Sequence, residues 1–268
     1  MKRAAEEALK IYGRIDVLVN NAAYGQLGII EELRYVPSRL RTEKKSNPRS
    51  LTTYPRTHRS EDIRAQFQTN VFGPLALIQA LLPAFRAQRS GHILNVSSIA
   101  GFSGSPTLGA YNASKAALDA FSETLAAEIA PFDVRVLLIV PGFFPTNFVA
   151  SAKAIRDAVN PTGATTGAYA TREQGHGLVD DYIDNRLANR SVGDPSKAAE
   201  RMYEVVTGTG LAQGLVDRKE WVRVPLGPDA GNRMKSKLAT LSASVDAFEP
   251  IWTSTDMDDA KLKEKFGI

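Results

Sequence analysis

Apolar residues along this chain gather in short blocks, separated by longer stretches with helical periodicity. Ile15-Asp16-Val17-Leu18-Val19, His92-Ile93-Leu94-Asn95-Val96 and Val134 to Val140 have strand length and many branched side chains, and predict buried strands. Val222-Arg223-Val224, just before Pro225, is a weak fourth. Residues 2–12, rich in Ala, Glu and Lys, predict a helix stopped by Gly13. Residues 61–89, 110–130 and 229–247 predict three more, and Asp194-Pro195 opens another with Asp as N-cap and Pro in the first turn. This alternation predicts an α/β fold, a doubly wound parallel sheet with helices on both faces. In such sheets ligands bind beyond the carboxyl ends of the strands. Asn20, Ser98 and Gly142 all lie at those ends, so three strand ends are expected to meet at one crevice.

Composition narrows the picture. With 268 residues and 43% hydrophobic content the chain suffices for one sizeable domain. No uninterrupted apolar run approaches the roughly 20 residues that cross a bilayer, and Met1-Lys2-Arg3-Ala4-Ala5-Glu6-Glu7 is too acidic for a signal peptide. No cysteine is present, which excludes disulfides and thiolate metal sites. His58, His92 and His176 are scattered without metal-ligand spacing. A cytoplasmic location without a membrane partner is the expectation. The net charge of +4 is local: residues 34–60 hold eight Lys/Arg and one acid, and the remainder carries 25 basic and 28 acidic residues. The main domain is therefore not expected to bind nucleic acid.

The chemistry concentrates in Gly109-Ala110-Tyr111-Asn112-Ala113-Ser114-Lys115, with Ser98 thirteen positions before the tyrosine. One helical turn puts Tyr111 and Lys115 on the same face. An ammonium beside a phenol favours tyrosinate, so the Tyr111 pKa is expected to fall. Ser98 is placed to hold a carbonyl or alcohol oxygen while Tyr111 moves its proton.

These residues, with Asn20-Asn21-Ala22, Asn70-Val71-Phe72-Gly73, Asn95-Val96-Ser97-Ser98 and Pro141-Gly142 with Thr146, resemble the short-chain dehydrogenase/reductase family in the order that family uses. The resemblance runs through residues 1–33 and 60–150 and more loosely to about 250. It implies a Rossmann-like fold and an NAD(P)-dependent oxidoreductase that interconverts a carbonyl and an alcohol by hydride transfer. Tyr111 would be the acid/base, Lys115 would lower its pKa and bind the nicotinamide ribose, Ser98 would polarise the substrate oxygen, and Asn70 would hold a relay water. Asn20 and Ala22 would border the adenosine side. Phe144 and Thr146 would line the nicotinamide pocket, with the Phe144 backbone near the carboxamide. NADP is slightly favoured over NAD, and a homodimer or homotetramer acting on a small carbonyl or alcohol is implied. Ala23 stands where the family has glycine.

The resemblance also leaves gaps. The family's opening strand, glycine-rich turn and helix, which cradle the pyrophosphate at a helix N-terminus, have no counterpart here. Thr162-Gly163-Ala164-Thr165-Thr166-Gly167 looks like that motif, but no apolar strand precedes it. The reading is therefore a partial domain over 1–250 with its first strands missing, the strand at 15–19 left as an open edge, low stability and weak dinucleotide binding. Residues 34–60, with Pro37, Pro48 and Pro55, read as a disordered basic insert or, from the codons that Arg34-Tyr35-Val36 and Leu51-Thr52 allow, as a translated intron over 35–59. Residues 147–193 read as a lid or a surface loop, and 251–268 as a tail. The competing functions are a non-catalytic fragment acting as a dimerisation partner and, on the charge of 34–60, a nucleic-acid binder.

Overall fold

The computed structural model describes residues 1–32, 60–159, 192–215, 217–218 and 220–267, with a few residues between 177 and 185. Positions 34–59 of the basic segment, and the look-alike motif at 162–167, lie outside the described residues. Four strands make one parallel sheet in the order β1-β2-β3-β4: β1 is Val17–Asn20, β2 Gly91–Val96, β3 Val134–Pro141 and β4 Arg223–Leu226. Leu18 pairs with Ile93, Ile93 with Val136, and Ile139 with Val224. This is the doubly wound α/β arrangement that the alternation of blocks predicts.

The central strand shows why the sheet forms. Leu137, Leu138, Ile139 and Val140 of β3 are all fully buried, because helices cover both faces. On one face Leu18, Ile93 and Val136 share a core with Ala5, Ile78, Leu81 and Phe85. On the other, Leu94, Leu137, Ile139 and Leu226 meet Met202, Val205 and Val206. At the margin, β1 buries Leu18 and Asn20 while Val17 and Val19 stay 38% and 46% exposed. Among the described residues β1 pairs only with β2, so its other edge is open, as expected.

The helices follow their sequence signals. Helix α1, Lys2–Tyr12, ends at Gly13, whose φ of 73° is the left-handed conformation that glycine adopts freely. Helices α2 (Ser60–Phe67) and α3 (Gly73–Gln88) are joined by a π turn, Gln68–Phe72, that carries Asn70. Their run Ile63–Gln88 is long and apolar enough, by length and composition alone, to cross a membrane, which corrects the expectation of no such stretch. In this fold its Ile78, Leu81 and Phe85 pack on the sheet. Short helix α4, Ile99–Phe102, follows β2, and α5, Gly109–Ile129, leads to β3.

Two further differences have physical causes. Residues 147–193 are not irregular throughout: Asn147–Val159 forms helix α6, with Phe148, Ala152 and Ile155 at helical spacing. Pro225 does not follow β4 but sits inside it, exposed on an edge strand, where a missing N–H costs little. Helix α7, Pro195–Thr207, is capped by Asp194, whose carboxylate accepts from Ser196 N–H at 2.8 Å. Asp194→Ala is expected to cost about 1 kcal/mol, read as a lower melting temperature. After β4 come α8 (Pro228–Ala247) and two short helices, α9 (Glu249–Thr253) and α10 (Asp259–Phe266), of which α10 lies wholly within the stretch 251–268 read as a tail.

Candidate active site

Strand β2 runs out at Ser97 and Ser98. The extended backbone of Ser98 makes it the N-cap of α4, its Oγ accepting from Ala100 N–H at 3.1 Å. Helix α5 begins close by, and Gly101 permits the approach. A Cβ at 101 would lie 2.9 Å from the backbone carbon of Lys115, where no real Cβ fits. Gly101→Ala is therefore expected to push α4 off α5 and to cost about 1–3 kcal/mol, measurable by denaturant unfolding.

This packing sets the Ser98 hydroxyl beside the Tyr111 phenol, where it favours the ionised form. Tyr111 is 7% exposed and Lys115 2%. The ring of Phe148 from α6 lies over Tyr111, centroids 5.1 Å apart and tilted by 50°. The same ring rests on Gly25, where a Cβ would come within 2.6 Å of its Cζ. The tyrosine is thereby walled from water.

The expected fall of the Tyr111 pKa is overturned. It is pushed up to about 12, first by burial and further by the charge of Asp119, with the Ser98 hydroxyl pulling the other way. Helical spacing places Tyr111 and Lys115 on one stripe but does not bring their tips together. The Lys115 Nζ donates to the Val96 carbonyl at 2.7 Å and lies 5.8 Å from the centre of the phenol ring. Burial lowers the Lys115 pKa to about 8, and Asp119 opposes it. Tyr111 is thus a protonated acid across the neutral range. Phe148→Ala is expected to move the Tyr111 titration down toward the ordinary value near 10. Titrating protein labelled with 13C at the tyrosine ring carbons, with the signal assigned by its loss in a Tyr111 variant, measures this.

The other expected site residues divide. Asn70 is buried in the π turn, donates to the Tyr24 carbonyl at 2.9 Å and to Ser114 Oγ at 3.0 Å, and accepts from Tyr24 N–H. These bonds tie the loop after β1 to α5. Asn20 donates to Asn95 Oδ1 at 2.7 Å and Asn95 to Ser122 Oγ at 2.8 Å, so its amide faces the sheet interior. Ala22 is exposed in the turn that follows. Phe144 packs its ring into the core around Leu226 and against Gly193, while Thr146 is exposed with its Oγ1 toward Phe148 N–H. Asp229, absent from the sequence reading, accepts from Phe143 N–H at 2.8 Å and holds the turn after Gly142. Thr107 was also missed. Its φ of 61° is an outlier for a β-branched residue, and its carbonyl accepts from Gly28 N–H at 2.7 Å.

The end of β2 and the first two turns of α5 thus bring Ser98, Tyr111 and Lys115 into one neighbourhood. The family model described as short chain dehydrogenase matches residues 51–157. The chain is 28% identical to oxidoreductase BOA17 of Botryotinia fuckeliana, over 90% of its own length and 72% of the relative's. It is 38% identical to the 3-ketodihydrosphingosine reductase of Bacteroides thetaiotaomicron over 55% of its own length, a match that spans 46% of that protein. A solved short-chain dehydrogenase from Streptomyces avermitilis superposes with a TM-score of 0.64 at 29% identity, covering 95% of this chain and 77% of that one. The chain is thus similar to short-chain dehydrogenases in sequence over residues 51–157 and in fold.

Proposed function

We propose that the site reduces a carbonyl to an alcohol, and runs the reverse reaction, with Tyr111 as the acid/base and Ser98 as the group that holds the reacting oxygen. The observation that carries this reading is the Ser98 hydroxyl placed beside a buried phenol that is kept in its acid form. A carbonyl oxygen seated between the two hydroxyls accepts from both, and Tyr111 gives up its proton as the alkoxide forms. Lys115 keeps a cation one helical turn away, which favours the tyrosinate left behind.

A nicotinamide dinucleotide, with NADP ahead of NAD, supplies or accepts the hydride when bound. Lys115, Tyr111 and Thr146 would hold its nicotinamide-ribose end, Thr146 by an exposed hydroxyl and Lys115 by the ammonium now bonded to the Val96 carbonyl. Ala22 and the backbones of Asn20 and Phe144 would complete the set, because the Asn20 amide and the Phe144 ring are turned into the core. Asn70 fixes the loop after β1 through Tyr24, and this reading also gives it the relay water. The Phe148 ring over Tyr111 favours an apolar substrate. Assembly as a homodimer or homotetramer in the cytoplasm belongs to the same reading.

The test is consumption of reduced nicotinamide by the purified protein with a panel of apolar ketones. Ser98→Ala is expected to lower kcat about 10²-fold, as loss of an oxyanion donor does, and Ser98→Thr to restore part of it. Equal rates in wild type and Ser98→Ala would remove the reading.

A further inference from the structure

Asp119 is buried on the same stripe of α5 as Tyr111 and Lys115, one turn beyond the lysine. Nothing in the proposed proton transfer uses it. The Ser97 Oγ donates to its Oδ1, and Arg223 Nη1 of β4 donates to its Oδ2 at 2.5 Å. Arg223 also donates from Nε to Glu123 at 2.9 Å and stacks over the Phe102 ring of α4, 5.3 Å from its centre. One carboxylate thus joins four pieces: the end of β2 beside Ser98, the helix carrying Tyr111, the last strand and α4. Burial pushes its carboxyl upward in pKa, with the Ser97 hydroxyl and the Arg223 guanidinium pulling it back.

We propose that Asp119 is a positioning residue, which locks the Ser97-Ser98 turn against α5 and keeps a negative charge beside the Lys115 ammonium. The proposal rests on the carbonyl-reductase reading of Tyr111 and Ser98. Its two halves are physical. A buried carboxylate bonded at both oxygens has one geometry, so Ser98 and Tyr111 keep their separation through the reaction. The same carboxylate opposes the desolvation that strips the proton from Lys115. Among the described residues, the charged groups that interact at this point are Lys115, Asp119 and Glu123 on α5 and Arg223 on β4. The end of β2 and α4 bring hydroxyls and apolar groups only. On α8, Asp229 is bonded to the Phe143 amide and Arg233 to the Ser103 carbonyl.

Asp119→Asn keeps the shape and removes the charge. In the intact protein it is expected to lower kcat roughly tenfold or more and to leave KM within about twofold. The alkaline limb of the kcat profile is expected to move down by about one pH unit. Asp119→Glu, which restores the charge, is expected to return the limb to its wild-type place. Ser97→Ala should lower kcat severalfold without moving the limb, and it carries the positioning half should Asp119→Asn fail to fold. Wild-type kcat and limb in folded Asp119→Asn, or wild-type kcat in Ser97→Ala, would overturn the proposal. An absence of any Tyr111-dependent turnover in wild type would instead defeat the carbonyl-reductase reading. The Tyr111 phenol titration, followed by NMR, would then decide the charge half. It is expected to fall in Asp119→Asn, and an unchanged midpoint overturns that half.

Discussion

Tyr111→Phe is expected to lower kcat for carbonyl reduction by about 10²–10⁴-fold, the range typical of removing a positioned general acid. The substitution deletes one oxygen and keeps the ring, so the packing on Phe148 at 5.1 Å survives. Ser98 keeps its bond from Ala100 N–H, and a cost of about 1 kcal/mol in stability at most follows from the lost hydroxyl. Turnover should therefore collapse while the melting temperature barely changes. The direction of reaction sharpens the test. With the phenol pKa pushed up to about 12, the acid needed for reduction is fully present at neutral pH, whereas the base needed for alcohol oxidation is scarce. Alcohol oxidation should thus rise with pH, the tyrosinate fraction growing about tenfold per unit below that pKa. Steady-state rates in both directions, measured for wild type and Tyr111→Phe, check this. A variant that keeps more than a third of wild-type kcat would show that some other group moves the proton.

How much of this was legible in the sequence depends on the distance over which each feature is decided. Strands β2 and β3 were legible because their branched runs are buried on both faces, and α1 because Gly13 stops it in a left-handed conformation. Ser98, Tyr111 and Lys115 were legible as a group because a strand end and one helical turn place them. The ionisation of Tyr111 was not. Spacing of four says that two residues share a stripe, but whether the ammonium faces the phenol depends on the Val96 carbonyl, which claims it. The π turn around Asn70 leaves no mark in composition, and Pro225 set the end of the last strand too early, at Val224 instead of Leu226. Asp119 was available in principle, one turn past Lys115. Arg223, its partner, lies 104 positions away, and only the parallel pairing of β3 with β4 brings them together.

Lys115→Met is expected to stabilise the fold at neutral pH and to destabilise it slightly at alkaline pH. The folded-state pKa of Lys115 is depressed to about 8 from the ordinary 10.5. A depressed pKa contributes stability that is present above the unfolded value and is lost as pH falls through the folded one. Wild-type stability should therefore rise from about pH 8 toward pH 10, where the unfolded chain binds a proton that the folded chain does not. Below about pH 8 both states are charged, and the cost of burying the ammonium is carried in full, about 3 kcal/mol at 1.36 kcal/mol per unit. Methionine fills the same space without that cost. It also leaves the Val96 carbonyl without its donor, a loss of about 1 kcal/mol at every pH. The two add to a gain of about 2 kcal/mol at pH 7 and a loss of about 1 kcal/mol above pH 10.5. Tyr111 works in the opposite sense but at higher pH, where its raised pKa costs stability between about 10 and about 12 in both proteins, and it cancels in the difference. Urea unfolding of wild type and variant at a series of pH values measures the crossing directly. A difference that stays constant from pH 7 to 10.5 would mean that Lys115 keeps its proton throughout, and that the ammonium is solvated or paired more strongly than Asp119 alone accounts for.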